Sequence, residues 1–129
     1  TAAAHVLPAG QGFKGQLGIF SDEHLPGLTR LAQKLRAAGS LSSIQLHHAG
    51  WRSPKELTGQ QPMGPFEDPS TGARAMTTAE VEAAIEAFIA AAVRAEKAGF
   101  DGVELHGAHS YLICQFLDVG NQRSDGWGG

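Results

Sequence analysis

The chain has 129 residues, 42% of them hydrophobic, which is the length and apolar content of one packed unit and leaves no room for two. Ten Lys and Arg against thirteen Asp and Glu leave a net charge of −3, so there is no basic field to hold nucleic acid or anionic lipid. The longest apolar runs fall far short of the roughly 20 residues that a membrane-spanning helix needs, and the single Cys114 forms no internal disulfide, which leads us to expect a cytoplasmic location.

Residues Ala2 to Phe20 read as an irregular connection punctuated by glycine. Between Ser21 and Ala38 the apolar residues Leu25, Leu28, Leu31, Ala32 and Leu35 recur at spacings of three and four, which predicts an amphipathic helix closed by Gly39. A strand is expected over Leu41–Leu46, running into His47-His48-Ala49-Gly50. The connection from Ala49 to Met76 holds Pro54, Pro62, Pro65 and Pro69 and is far longer than the common about 2 to 6 residues, so it is expected to cover or line a site. Thr77 and Glu80 form a capping-box signature, after which Val81, Ile85, Phe88, Ile89 and Ala92 make the stripe of a second helix that Gly99 closes. A second strand, Phe100–Leu105, then runs into His106-Gly107-Ala108-His109.

The chain thus writes helix, glycine, short strand and histidines twice, the grammar of βαβ units in a parallel sheet. Ligands in such folds sit beyond the carboxyl ends of the strands, so both histidine groups are expected at one rim. His106, His109, His47, His48 and Glu104 are the candidate chemical groups there. Two chemistries are open to them: three of these side chains holding a catalytic zinc, with His47 or Glu104 as the third ligand, or neutral imidazoles donating to a substrate oxygen on which charge develops. Tyr111, the only tyrosine, lies two residues beyond His109 and is a candidate general acid, while Gln45, just before the strand end, carries an amide suited to a heterocycle edge. A Gly-x-Ser-x-Gly elbow is missing around Ser110, and Gly10–Gly18 does not match a dinucleotide fingerprint. Cys114 reads as a small residue of an apolar run, and Asn121–Asp125 as a polar turn.

Ala98-Gly99-Phe100-Asp101-Gly102-Val103-Glu104-Leu105-His106-Gly107-Ala108-His109, with Tyr111-Leu112 and Gln115-Phe116-Leu117 after it, resembles the Old Yellow Enzyme family of FMN-dependent NAD(P)H oxidoreductases. Gln45-Leu46-His47-His48-Ala49-Gly50 and Asn121-x-Arg123-x-Asp125-x-Trp127-Gly128-Gly129 are similar to two further family motifs, in the same order. The resemblance implies an α/β fold, part of a TIM (β/α)8 barrel, with residues 1–129 running from the end of strand 2 to the loop after strand 4 of one FMN-binding domain. It also implies a ping-pong cycle in which NADH or NADPH reduces FMN, which then reduces the C=C bond of an α,β-unsaturated carbonyl compound. By this likeness Gln45 and His106 contact the flavin, His106 and His109 bind the substrate carbonyl oxygen, and Tyr111 protonates the alpha carbon after hydride reaches the beta carbon. The rival reading is a zinc-dependent TIM-barrel hydrolase that uses the rim histidines.

Two departures stand out. Trp51 occupies the place of the usual motif arginine, with Arg52 following, and Asp118-Val119-Gly120 replaces a Ser-Pro-containing loop. The opening Thr1 and the closing Gly128-Gly129 suggest a piece of a longer chain, which is expected to bind FMN poorly and, with strand edges unpaired, to pair with itself or aggregate.

Overall fold

The computed structural model describes residues 1–128, so Gly129, the last residue of the third motif, lies outside the described residues. Its centre is a four-stranded parallel sheet made of β1 (Ala3–His5), β2 (Leu17–Gly18), β3 (Ser43–His47) and β6 (Gly102–Leu105), in the order β2-β1-β3-β6. Between β2 and β3 runs helix α1 (Leu25–Ala37), and between β3 and β6 runs the long helix α3 (Thr78–Ala98). The stretch expected to be one irregular loop holds a short helix α2 (Lys55–Thr58) and a two-stranded parallel ribbon of β4 (Met63–Gly64) and β5 (Arg74–Ala75). A final short helix, α4 (Leu112–Phe116), follows β6.

Residues Ala2–Phe20 correct the expectation of an irregular connection, because β1 and β2 lie inside them. Ala3-Ala4-His5 has little strand propensity of its own. It is a strand because β3 supplies the ladder, with Ala3 opposite Gln45, Ala4 opposite Leu46 and His5 opposite His47.

Helix α3 starts as its sequence predicts. Glu80 N–H donates to Thr77 Oγ1 at 3.2 Å, Thr77 N–H donates to Glu80 Oε2 at 2.8 Å, and Arg74 clamps the same carboxylate from two nitrogens at 2.8 and 2.6 Å. That fork holds the Glu80 carboxyl down at about 2. The far end closes at Gly99, whose φ of +93° suits a residue without Cβ.

The packed face of α3 keeps part of the expected stripe, with Val81 buried and Phe88 and Ala92 packed against the core, and departs from it at the two isoleucines. Ala84, Ala91, Ala95 and Ala98 are buried, while Ile85 and Ile89 are 37% and 52% exposed. Small side chains let the helix approach the sheet closely, and the larger residues flank an apolar groove that Val103 and Leu105 of β6 also line. The main core joins Ala4, Val6, Ile19, Leu28, Ile44, Leu46 and Phe100 to Ala91, Ala95 and Ala98, while Ala84 packs in a second cluster with Met76, Val81 and Leu112. Because side chains alternate along a strand, burying Ile44 and Leu46 under the helices sends Ser43, Gln45 and His47 to the opposite face, the one that carries the rim.

Candidate functional site

The rim is built by register. His5 is paired with His47 across β1 and β3, Leu46 is paired with Leu105 across β3 and β6, and His106 N–H extends that ladder by donating to Leu46 O at 3.0 Å. Three adjacent strands therefore present a histidine at the same height of their carboxyl ends.

Four rings meet there. The His47 and His106 centroids are 5.4 Å apart, Tyr111 lies 4.4 Å from His47 and 5.0 Å from His106, and His109 sits 5.3 Å from His106 at right angles to it. The structure thus brings together His106, His109, Tyr111 and His47, as the order of elements predicts. His48 does not join them. Its ring is 2% exposed, Nδ1 accepts from Gly50 N–H at 3.0 Å, and its other edge fills the space where a Cβ on Gly10 would stand.

Gln45 is half-buried one step below His47, and its Nε2 donates to Glu104 Oε1 at 2.9 Å, across the register that pairs the two residues. Glu104 is therefore engaged by the amide. Among the described residues no group of three or more His, Cys, Asp or Glu side chains is placed to hold a metal ion, so the zinc reading finds no ligand set.

Burial sets the charge of the cluster. It pushes the His47 imidazole down to about 4, helped by repulsion from His106 and His5, and pushes His48 down to about 3. His106 is lowered by burial and then by His109, with Glu104 acting in the opposite direction. At neutral pH these three rings are uncharged, and each has one N–H to donate and one nitrogen to accept. Both ring nitrogens of His47 are buried without a partner in the protein, although the ring is only 1% exposed. Buried polar atoms in folded proteins are nearly always paired, so such an orphan marks a place for a bound group.

The loop that carries His109 is held by Gln115 and Arg52, to which the sequence alone assigns no role. His109 and Ser110 both have φ of +56°, a left-handed pair with no glycine in it. Gln115, 2% exposed, donates from Nε2 to Ser110 O at 2.6 Å and to Ala49 O at 3.2 Å, and its Oε1 accepts from Trp51 N–H at 3.2 Å. Arg52 Nη1 donates to His109 O at 2.9 Å, and its guanidinium lies 5.3 Å from the Tyr111 ring centre. Trp51, in the place of a motif arginine, turns instead to Phe66. Its Nε1–H donates to Phe66 O at 3.0 Å, and the two rings meet edge to face at 4.8 Å.

Beyond the rim, Asn121–Asp125 is coil and bend rather than the expected locally bonded turn, because its polar groups reach distant backbone. Arg123 pairs with Asp125 and donates to Pro65 O and Met76 O at 2.8 and 2.6 Å, so the segment ties down the long β3–α3 connection. Cys114 is half-buried on α4. No described helix is long and apolar enough to cross a membrane.

Comparison with known proteins bears on this geometry. The model of the NADH:flavin oxidoreductase / NADH oxidase family matches residues 1–129. The chain is 48% identical over 134 residues to the Bacillus subtilis (strain 168) protein named "Probable NADH-dependent flavin oxidoreductase YqiG", covering 100% of this chain and 36% of that protein. Among solved structures it is similar to the old yellow enzyme homologue from Zymomonas mobilis, with 33% identity and a TM-score of 0.87 over 98% of this chain and 40% of that one. It is likewise similar to morphinone reductase in complex with tetrahydroNAD, with 32% identity and a TM-score of 0.91 over 98% of this chain and 41% of that one. The chain spans about two fifths of the length of these three proteins, and its parallel sheet with helices on one face is the corresponding part of the TIM barrel of the two solved structures.

Proposed function

The chain belongs to the NADH:flavin oxidoreductase / NADH oxidase family, and from that premise we propose that it carries the substrate-binding and proton-donating part of an FMN-dependent ene-reductase. In this reading residues 1–129 run from the end of the second barrel strand to the loop after the fourth. The observation that carries it is the four-ring cluster of His47, His106, His109 and Tyr111 at the carboxyl rim.

The residues present suit a flat heterocycle. Gln45 keeps its amide oxygen free while its nitrogen is held by Glu104, and His47 keeps two buried nitrogens without partners beside Gly12, where a Cβ would come within 3.3 Å of Nε2. Gln45, with His106 beside it, would therefore hold FMN. When bound, FMN supplies the hydride chemistry, taking two electrons from NADH or NADPH and passing them to an activated alkene.

This chain's own residues do the rest. His106 and His109, their rings perpendicular and in contact, donate N–H to the carbonyl oxygen of an α,β-unsaturated compound. His106 is neutral, so it stabilises the charge growing on that oxygen without being an anion-trapping cation in the ground state. Tyr111, whose ring lies against His47 and His106, gives its hydroxyl proton to the alpha carbon.

The test is stopped-flow absorbance of the full-length protein. NADPH or NADH should bleach a bound flavin without oxygen, and 2-cyclohexenone should restore its colour. Tyr111→Phe should slow the recovery by about 10²-fold or more and leave the bleaching unchanged. A colourless protein, or a Tyr111→Phe variant that recovers at the wild-type rate, refutes the proposal.

A further inference from the structure

We propose that Arg52 is a positioning residue for proton transfer, one guanidinium that fixes both the His109 carbonyl and the Tyr111 ring. The inference rests on the ene-reductase reading for its chemistry, and its geometry stands without it.

Arg52 ends the single 3-10 turn Gly50–Arg52 that follows β3. Trp51 spends its indole on Phe66, which leaves the next residue to face the rim. The nitrogen that reaches His109 O at 2.9 Å and the carbon that lies 5.3 Å from the Tyr111 centroid belong to the same planar group. A cation within about 6 Å of a ring centre is attracted to the ring face. Among the described residues Arg36, Arg74, Arg94 and Arg123 each have a carboxylate partner, while Arg52, like Arg30, has none. Both contacts of its guanidinium are thus with residues of the site.

The carbonyl it grips is no ordinary one. It belongs to the first residue of the left-handed pair His109–Ser110, and Gln115 grips the second. Residues in this region hold their shape only where the surroundings enforce it. Arg52 lies 57 positions from His109 in the chain, so it clamps the loop from the β3 side while Gln115 clamps it from α4. A lysine keeps the charge but lacks the flat fork that stacks and donates at once.

Arg52→Ala in the full-length protein should slow flavin recovery by 2-cyclohexenone about 10- to 100-fold, with flavin bleaching by NADPH unchanged, and Arg52→Lys should restore only part of the loss. In a Tyr111→Phe background the same Arg52→Ala change should cost less than about twofold, because two residues acting through one step do not add. Losses that multiply in the double variant, or an equal slowing of bleaching, overturn the proposal in favour of a merely structural arginine. A second readout needs no turnover: aromatic ¹³C NMR signals of Tyr111 and His109, assigned with Tyr111→Phe and His109→Gln, should broaden or shift in Arg52→Ala. Unchanged signals sink the inference even in an active enzyme. A wild-type protein whose flavin bleaches and is not reoxidised by the enone sinks the alkene reading alone, and the NMR response then decides Arg52.

Discussion

Acid should destabilise this protein through His47. Its imidazole is 1% exposed and held at about 4, against 6.5 for an unburied ring. Between those values the unfolded chain takes up a proton that the folded ring refuses. Stability therefore falls as pH drops below about 6.5 and stops falling once the folded ring is also protonated, below about 4. At pH 5 the unfolded ring is almost wholly protonated and the folded one about a tenth, so protonation favours the unfolded chain by a factor of about 30, or about 2 kcal/mol. His48, lowered to about 3, contributes with the same sign. The measurement is urea unfolding of the flavin-free full-length protein at pH 8 and pH 5, followed by far-ultraviolet circular dichroism, for wild type and His47→Gln. The variant keeps a polar side chain and loses the titration, so wild type should lose about 2 kcal/mol more than the variant on acidification. Equal losses would show that the His47 ring is already protonated in the fold or already neutral in the unfolded chain, and the reasoning from burial would fail.

Other substitutions probe the scaffold. Thr77→Ala removes the hydroxyl that caps α3 and should cost about 1 kcal/mol in a urea titration, with flavin recovery rates unchanged. Gly50→Ala places a Cβ on top of Gln115 Oε1 at a φ of +61°, and should both destabilise the protein by more than about 1 kcal/mol and slow recovery by the enone, since Gln115 holds Ser110. Gly39→Ala, at a φ of +79° with nothing within 4 Å, should show only the backbone cost and leave recovery alone.

The parts legible in the sequence are those decided within a few residues. Thr77 and Glu80 are three apart and satisfy each other, Gly39 and Gly99 stop their helices by a property of glycine alone, and the two strand-end histidine groups follow from a repeated order of elements. Helix α3 shows the limit of that local reading: periodicity finds its apolar side, while the alanine row wins the sheet because close approach depends on the partner surface. The same holds for β1, whose three residues become a strand only through pairing with β2 on one side and, on the other, with β3 more than forty positions away. Arg52 and Gln115 escape a linear reading because the groups they hold, His109 O and Ala49 O, lie 57 and 66 positions distant. The resemblance to known motifs could find Gln115 as part of a string, but its task becomes visible only when the loop is folded.

The turn at His109–Ser110 achieves something that helical spacing does not. Two imidazoles three residues apart would share one face of a helix and point the same way, whereas here the second sits in a left-handed turn and the rings stand perpendicular at 5.3 Å. A glycine would enter that turn easily and leave it as easily, sampling many shapes before a substrate arrived. Two side-chain-bearing residues, once forced through, have few other conformations open to them. On the proposed reading, the loop therefore meets a substrate with little disorder left to lose, and more of the contact energy would remain for binding.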